Sequence, residues 1–266
     1  MSIYLGAEST ARQLSKLYVG VDGKARQVQK IYVGVNGTAR LVYQSNTPIG
    51  GLAVGSTVKI KVDGTYRDFI VVQQGNPAAS IYDASCNGTW LLMKDIYVRR
   101  QWNGSNSNNY AVSSIYTYLN STFLNLFESN IQSAIKQVKI PYRKGSSTST
   151  TVTSGSDGLS TKLFLLSATE TSFNVSNMPR SEGAELAYFR GCADSGEDAK
   201  RVAKLNGSVG GWWTRSPNCN NYTNALTVTS SGNLNGNYYC TDQNGIRPAM
   251  ILSDEALVDE SYNVIG

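Results

Sequence analysis

Histidine is absent from this sequence. The commonest general base and the commonest zinc ligand are therefore missing. Neither a Ser-His-Asp triad nor a Cys-His pair can be built. Enzymes without histidine exist, so the absence lowers the expectation of catalysis without closing it. Cysteine is scarce: Cys86, Cys192, Cys219 and Cys240 are the only four. None falls in a CxxC, so spacing gives no zinc site. Two readings stay open for them. Cys219 and Cys240 flank a polar segment and can bridge its arms, or all four are reduced thiols, since nothing points to export. Charged residues make up only 16% of the chain and the net charge of +5 is scattered. Without a Lys/Arg block, neither nucleic acid nor an anionic membrane is an expected partner. No apolar run approaches the ~18 residues of a membrane span, so no membrane insertion is expected. Met1 to Gly6 has no basic start and no long apolar stretch, so no signal peptide is expected and the chain should fold in a cytoplasm. No GxGxxG or GxxxxGK[ST] loop is present.

What is present suffices for a packed protein. Hydrophobic residues are 41% of 266, the reverse of a disordered composition. That length allows one large domain or two smaller ones.

The first residues repeat every 14 positions: Ile3-Tyr4-Leu5-Gly6 aligns with Leu17-Tyr18-Val19-Gly20 and Ile31-Tyr32-Val33-Gly34. Ala11-Arg12, Ala25-Arg26 and Ala39-Arg40 follow in step. Two copies carry Asp22-Gly23 and Asn36-Gly37, dipeptides that favour two-residue hairpin turns. The first has Glu8-Ser9 there, which predicts a looser turn. Each copy therefore reads as strand, turn, strand. Isolated hairpins are marginal in water, so residues 1–46 read as an attachment or oligomerisation module, with a solubilising linker as the alternative. The pattern resembles repeats of phage tail and tail-fibre proteins. Ser45 to Gly51, with Pro48 and Gly50-Gly51, reads as a linker.

Beyond it, Val58 to Val62 alternates and meets Asp63-Gly64, so a second hairpin is predicted with Tyr66 to Val72 returning. Trp90 to Met93 reads as a buried strand. Ser113 to Phe127 has helical spacing with a serine cap. A second helix is expected from Ser129, with Ile131, Ala134, Ile135 and Val138 inward and Pro141 ending it. Lys144 to Ser160 is Gly, Ser and Thr almost throughout and reads as a mobile loop or a long hairpin tip. Leu163 to Ser167 reads as a strand and Ser181 to Phe189 as a short helix. The pairs Glu182/Glu185 and Glu197/Asp198 read as solvated helix faces. Strands are further expected from Trp212 to Arg215, Leu226 to Thr229 and Arg247 to Leu252. Strands, then two helices, then strands and long loops make an α+β pattern.

The run from Trp212 to Pro217 is followed by a segment dominated by Asn, Tyr, Thr, Ser and Gly, then by Gly245-Ile246-Arg247-Pro248-Ala249. Two stiff ends bracket a polar middle. Asn, Tyr and Ser make adaptable hydrogen bonds and flat amphipathic contacts, the chemistry of binding loops. The binding surface is expected between Pro217 and Asn244. Its candidate residues are Trp213, Asn218, Asn220, Asn221, Tyr222, Asn224, Asn235, Asn237, Tyr238, Tyr239, Thr241, Asp242 and Asn244, with Gln243 at the rim. The tyrosines would supply contact area and the asparagines hydrogen bonds. A plain polar surface loop is the alternative, since Asn and Gly also serve turns. Arg215 and Arg247 are expected to be scaffold, bonding carbonyls or a carboxylate, rather than to contact ligand.

The paired Trp213-Thr214-Arg215-Ser216-Pro217 and Gly245-Ile246-Arg247-Pro248-Ala249 motifs resemble the C-type lectin-like fold, and more closely the variable proteins of diversity-generating retroelements. The resemblance covers residues 50–253. It implies two helices with antiparallel strands and long loops, preceded here by the hairpin module and followed by a tail over 254–266. It implies a variable segment at about 212–247, rewritten at template adenines and so rich in Asn, Tyr, Ser, Thr, Asp and Gly. The implied function is ligand binding and receptor recognition by a phage tail-associated adhesin. Its partner would be a protein or glycan on a bacterial cell surface, with no cofactor and no catalysis. The implied location is the phage tail, with a homo-trimer through the repeats fitting that setting. Calcium-dependent lectins of this fold use Glu-Pro-Asn or Gln-Pro-Asp with Trp-Asn-Asp, and none of these occurs. A calcium-independent glycan-binding lectin remains an alternative. So does an oxidase resembling formylglycine-generating enzymes, which bind copper through paired cysteines, although the spacings of Cys192, Cys219 and Cys240 do not match theirs.

Overall fold

A computed structural model describes residues 4–7, 10–13, 17–28, 30–44, 46–145, 151–176, 178–179 and 182–266. The chain opens with three antiparallel hairpins: Tyr4–Ala7 with Thr10–Gln13, Tyr18–Val21 with Lys24–Gln27, and Lys30–Val35 with Thr38–Gln44. Asp22 and Gly23 turn with φ of 54° and 73°, Asn36 and Gly37 with 50° and 75°. Two positive φ values in succession are what a type I′ turn requires, and these dipeptides accept them. The Glu8-Ser9 turn of the first copy lies outside the described residues. Tyr18, Val19, Tyr32 and Val33 are exposed. Among the described residues no hairpin strand pairs with the rest of the protein.

The main body is strand-rich α+β. Its principal elements in chain order are Thr57–Val62 (β1), Thr65–Gln74 (β2), Thr89–Met93 (β3), Val98–Gln101 (β4), Ser114–Tyr118 (α1), Ser129–Ala134 (α2), Leu163–Phe164 (β5), Trp212–Pro217 (β6), Asn224–Val228 (β7), Leu234–Tyr239 (β8), Gln243–Ile246 (β9) and Ala249–Leu252 (β10). The first sheet runs β5-β10-β3-β2-β1, all antiparallel, and the second β4-β9-β6-β7-β8. In the second sheet only the β6–β9 contact is parallel, at Trp212 opposite Gly245. Glycine is required there. A Cβ on Gly245 would lie 2.6 Å from the Gly211 carbonyl oxygen, which already accepts the Gly245 N–H at 3.1 Å.

Strand alternation sends neighbours to opposite faces. Leu91 and Met93 join a core that holds Ile115, Leu119, Phe123, Trp213 and Ile246. Trp90 and Leu92 join a second core with Phe164, Leu166, Phe189 and Ile251. Trp212 turns away from Trp213 into a third, with Phe173, Met178, Leu226 and Val228. Full burial of each such side chain stabilises by ~1.5–3 kcal/mol. Strands buried on both faces explain why Trp90 to Met93 is apolar without alternation.

Several expectations change. The Ser113 cap forms, its Oγ accepting the Tyr116 N–H at 3.2 Å. The helix after it is α only to Tyr118, then widens over Leu119–Phe123 and tightens over Leu124–Leu126. The second helix stops at Ala134. Ile135 is extended, and Val138 lies in a strand, Val138–Ile140, that pairs with Leu159–Thr161. Two β-branched residues and a distant partner win over helical spacing there. The Gly/Ser/Thr stretch from Lys144 to Ser160 supplies the returning arm of a long hairpin, with Val152–Thr153 on Tyr142–Arg143; residues 146–150 lie outside the described residues. Of the helix expected from Ser181 to Phe189, only a 3-10 turn at Ala187–Phe189 forms, and Ser181 lies outside the described residues. The stretch read as a linker is tied down after Ser45, which lies outside the described residues. Thr47–Pro48 pairs with Leu257–Val258, Ile49 is fully buried, and Gly50 N–H bonds the Asp254 carbonyl at 3.1 Å. The final residues pack on β1, with Val264 N–H donating to Lys59 O at 2.9 Å.

Candidate functional site: a polar sheet on a buried arginine hub

The polar segment, expected to be loops apart from a strand at Leu226 to Thr229, is mostly sheet. β7, β8 and β9 carry it, and only the 218–223 stretch and the two turns lie outside strands. β6 anchors it from below. Arg215 is fully buried on β6. Its Nε donates to Pro141 O at 3.1 Å, Nη1 to Leu165 O at 3.0 Å and Nη2 to Glu182 O at 3.0 Å. Nη1 and Nη2 also bond Glu170 Oε2 and Oε1 at 2.5 and 2.7 Å. A planar fork with five donors suits this set, and lysine could not serve it. Burial pulls the Arg215 pKa down, but the Glu170 charge outweighs it and the net shift is upward.

Glu182 is the departure from expectation. The sequence placed it on a solvated face with Glu185, yet it is fully buried and its carboxylate accepts the Arg143 N–H at 3.1 Å and the Ser216 hydroxyl. Burial pushes its pKa up to about 7, against the lowering influence of Arg215. No sequence signal marks it, because its partners lie 39 and 34 positions away. Arg247 is also buried, donating from Nε to Met93 O at 2.8 Å with its guanidinium 5.1 Å from the Trp212 ring. Burial lowers its pKa to about 10.

The thirteen candidate contact residues divide by exposure. Tyr222, Tyr238 and Tyr239 are 60%, 37% and 51% exposed. Asn220, Asn221 and Asn237 are exposed with them, and Asn235, Thr241 and Asp242 are half-buried. Trp213, Asn218, Asn224 and Asn244, also expected to contact ligand, are buried. Trp213 Nε1 bonds Arg100 O at 2.9 Å, and its ring meets Tyr238 edge-on with centroids 6.0 Å apart. Asn218 Oδ1 accepts from Asn220 and Asn221 N–H groups at 2.8 and 3.2 Å, and its Nδ2 donates to Gly236 O at 2.8 Å. Asn224 Nδ2 reaches the same carbonyl at 3.3 Å. Asn244 Oδ1 accepts the Gly245 N–H at 2.9 Å. These asparagines hold the backbone.

The sequence reading missed Asn108. It is buried, and its Nδ2 lies 3.1, 3.2 and 2.9 Å from the carbonyls of Asn218, Asn221 and Asn224. It pins the 218–224 stretch from a loop more than a hundred positions away. Its only signal was composition, since residues 103–109 are also Asn-, Ser- and Gly-rich. Thr241 Oγ1 bonds Asn106 Oδ1 at 3.0 Å, joining the same two regions. Beside Tyr238, a groove of about 270 Å³ is lined by Arg99, Thr227, Gln243 and Asn244, among others.

All four cysteines are free and buried, so no bridge joins Cys219 to Cys240. Burial pushes the Cys86 and Cys240 thiols up to about 12 and Cys192 to about 11, and raises Cys219. Among the described residues no group of three or more Cys, Asp or Glu is placed to hold a metal ion.

Neither the curated proteins nor the solved structures include a match to the chain. A protein-family model does match, over residues 87–254. That span runs from just before β3 through β10, so it takes in both helices, the arginine hub and the polar sheet, and leaves out the hairpins. It covers more than half of the chain, and the protein belongs to this family, a domain of unknown function (DUF6273).

Proposed function

We propose that the chain is a receptor-recognition protein, a phage tail-associated adhesin that displays a retroelement-diversified Asn/Tyr-rich surface on a C-type lectin-like scaffold. The observation that carries the reading is the division within the polar segment. Tyr222, Tyr238 and Tyr239 stand exposed, while Asn218, Asn224 and Asn244 are turned to their own backbone. Rigid amphipathic rings then sit on a frame held by other side chains, with Tyr238 resting edge-on against Trp213. This is how binding loops on rigid scaffolds work. Side chains that bond nothing beneath them can be exchanged without loss of the fold.

The ligand is a protein or glycan on a bacterial cell surface. Tyrosine faces and amide groups suit either, so calcium-independent glycan binding falls within the reading. The N-terminal hairpins, with Tyr18, Val19, Tyr32 and Val33 exposed, are the part that would join three copies or attach them to the particle. No helix among the described residues is long and apolar enough to cross a membrane. The copper-oxidase alternative draws on paired cysteines. Here the thiols are single, buried and held protonated by burial, which favours the binding reading.

The test is binding of the labelled full chain to intact cells across a panel of bacterial strains. Replacing Tyr222, Tyr238 and Tyr239 together by alanine should lower binding by at least tenfold, as loss of aromatic hot spots does. Undiminished binding by a folded triple variant would sink the proposal.

A further inference from the structure

The groove beside Tyr238 is lined from β4, β7, β8, β9 and the Ser208–Gly210 strand. Its volume of about 270 Å³ falls just short of the ~300–1,000 Å³ of drug-sized sites, which suits one small ring. Arg99 is the one charged side chain in the lining, and no Asp or Glu joins it there.

The polar groups of the lining have bonds to spare. Arg99 is exposed, and its side chain enters no salt bridge and no hydrogen bond among the described residues. Its guanidinium stands at the wall, since a Cβ on Gly210 would lie 3.9 Å from Nη2. Asn244 is only 5% exposed and spends Oδ1 on the Gly245 N–H. Its amide lies against Gly211, where a Cβ would be 3.4 Å from Nδ2. That Nδ2 bonds no group among the described residues, yet it is not sealed from solvent. A donor on a buried side chain without a partner is uncommon, and this one is left for whatever enters the groove. Gln243 and Ser230 are exposed at the rim, with side chains that bond nothing else among the described residues.

Neighbouring charges are committed elsewhere. Arg100 lies over the Tyr118 ring, 4.0 Å from its centroid. Asp95 Oδ1 accepts the Lys204 N–H and Asp242 Oδ2 the Tyr239 N–H, each at 2.9 Å. Neither carboxylate lines the groove.

An unpaired guanidinium fork matches a carboxylate through two parallel bonds. Amide and hydroxyl groups beside it match ring hydroxyls, and an amphipathic tyrosine ring takes an apolar ring face. We propose that this groove binds a carboxylate-bearing sugar, a uronic acid residue of an acidic surface glycan. The proposal rests on the adhesin reading and narrows its ligand. Arg99 holds the carboxylate, Asn244 Nδ2 and Gln243 hold ring hydroxyls, and Tyr238 covers the apolar face of the ring. Arg99 lies outside the polar segment, so the preference for an acid persists whatever side chains the exposed positions of that segment carry.

The probe is methyl β-D-glucuronide, with methyl β-D-glucoside as the neutral ring and acetate as the carboxylate without a ring. The readout is the side-chain amide resonance of Asn244 in the full chain at low ionic strength. The glucuronide should shift it saturably at millimolar concentration, and each comparator should bind at least about tenfold more weakly. Arg99→Gln, at an exposed position, should weaken the glucuronide by about tenfold and bring it level with the glucoside. Arg99→Lys keeps the charge without the fork and should recover only part of the loss. Absence of a saturable shift overturns the proposal. So does equal binding of glucuronide and glucoside, or full affinity in Arg99→Gln. Acetate binding as tightly as the glucuronide overturns it too, in favour of a site for any carboxylate, a peptide's included. The adhesin reading fails separately: cell binding that ignores the three tyrosines sinks it while the glucuronide still binds, whereas tyrosine-dependent cell binding without glucuronide binding sinks this proposal alone.

Discussion

Arg215 and Glu170 meet through two parallel bonds, Nη1 to Oε2 at 2.5 Å and Nη2 to Oε1 at 2.7 Å, with both side chains fully buried. Tyr82 OH donates to Glu170 Oε1 at 2.7 Å and Ser167 N–H to Oε2 at 2.9 Å. The pair fastens β6, and so the base of the polar sheet, to the 165–171 and 182 segments. Removing one partner leaves an uncompensated buried charge. Arg215→Met and Glu170→Gln should each destabilise the protein by roughly 3–5 kcal/mol, measured by urea unfolding. Arg215→Lys should lose a comparable amount, because one ammonium cannot reach the carbonyls and both carboxylate oxygens. A loss under about 1 kcal/mol in either charge-removing variant would show that the hub is not structural.

Glu182 sets a pH dependence of defined sign. Its pKa rises from an ordinary 4.5 to about 7 in the folded protein, chiefly by burial. Between those values the folded state holds a proton that the unfolded state has released, so stability falls as pH rises. The contribution is fully present below 4.5 and is lost above about 7. Its span is on the order of 3 kcal/mol at most. Subtracting the urea-unfolding profile of Glu182→Gln from that of the parent should leave a curve that descends through this window and is flat above it. A difference curve that rises with pH contradicts the assignment.

The four thiols give a direct chemical check. Each is buried and unpaired, and a thiolate is the reactive form. The folded protein should react negligibly with an aromatic disulfide reagent at neutral pH. Unfolding in denaturant without reductant should release four reactive thiols. Two reactive thiols instead of four would show a disulfide.

Contact and scaffold residues should separate in stability. Tyr222→Ala and Tyr239→Ala alter exposed side chains and should change stability by less than about 0.5 kcal/mol. Trp213→Ala empties a buried site that also bonds Arg100 O, and should cost roughly 3–5 kcal/mol. Asn108→Ala removes a donor from three carbonyls and should cost ~1–3 kcal/mol. Thermal unfolding of the four variants distinguishes the groups; a large loss in the tyrosine variants would make those residues scaffold as well.

Legibility in the sequence followed the range of the interactions. The hairpins rest on local turn chemistry, and Asp22-Gly23 and Asn36-Gly37 adopt the positive φ their residue types predict. The β1–β2 hairpin and the Ser113 cap are local in the same sense. Spacing alone puts Val138 on a helix, but its strand partner lies in 159–161, and a non-local ladder decides between helix and strand for such a short apolar run. The polar segment looked like loop because Asn and Gly suit turns. It forms strands because β6 pairs with both β7 and β9, β4 covers the far side of β9, and β8 can remain an exposed edge. Glu182 and Asn108 were illegible for one reason: a buried polar residue is specified by partners that only the fold assembles. The arginines are easier, since Arg215 on β6 and Arg247 in the short link between β9 and β10 stand among buried neighbours where a charge must be satisfied.

On the proposed reading, the exposed side chains between residues 218 and 244 form an exchangeable surface over a fixed frame. The most direct measurement is to sequence the codons for residues 212–249 across many isolates, together with the flanking DNA for a reverse transcriptase and a near-copy template. Substitutions are expected at template adenines, concentrated at Asn220, Asn221, Tyr222, Asn237, Tyr238 and Tyr239, with Trp213, Asn218, Asn224 and Asn244 unchanged. An invariant segment with no template, or variation spread equally over the buried and exposed positions, would contradict it.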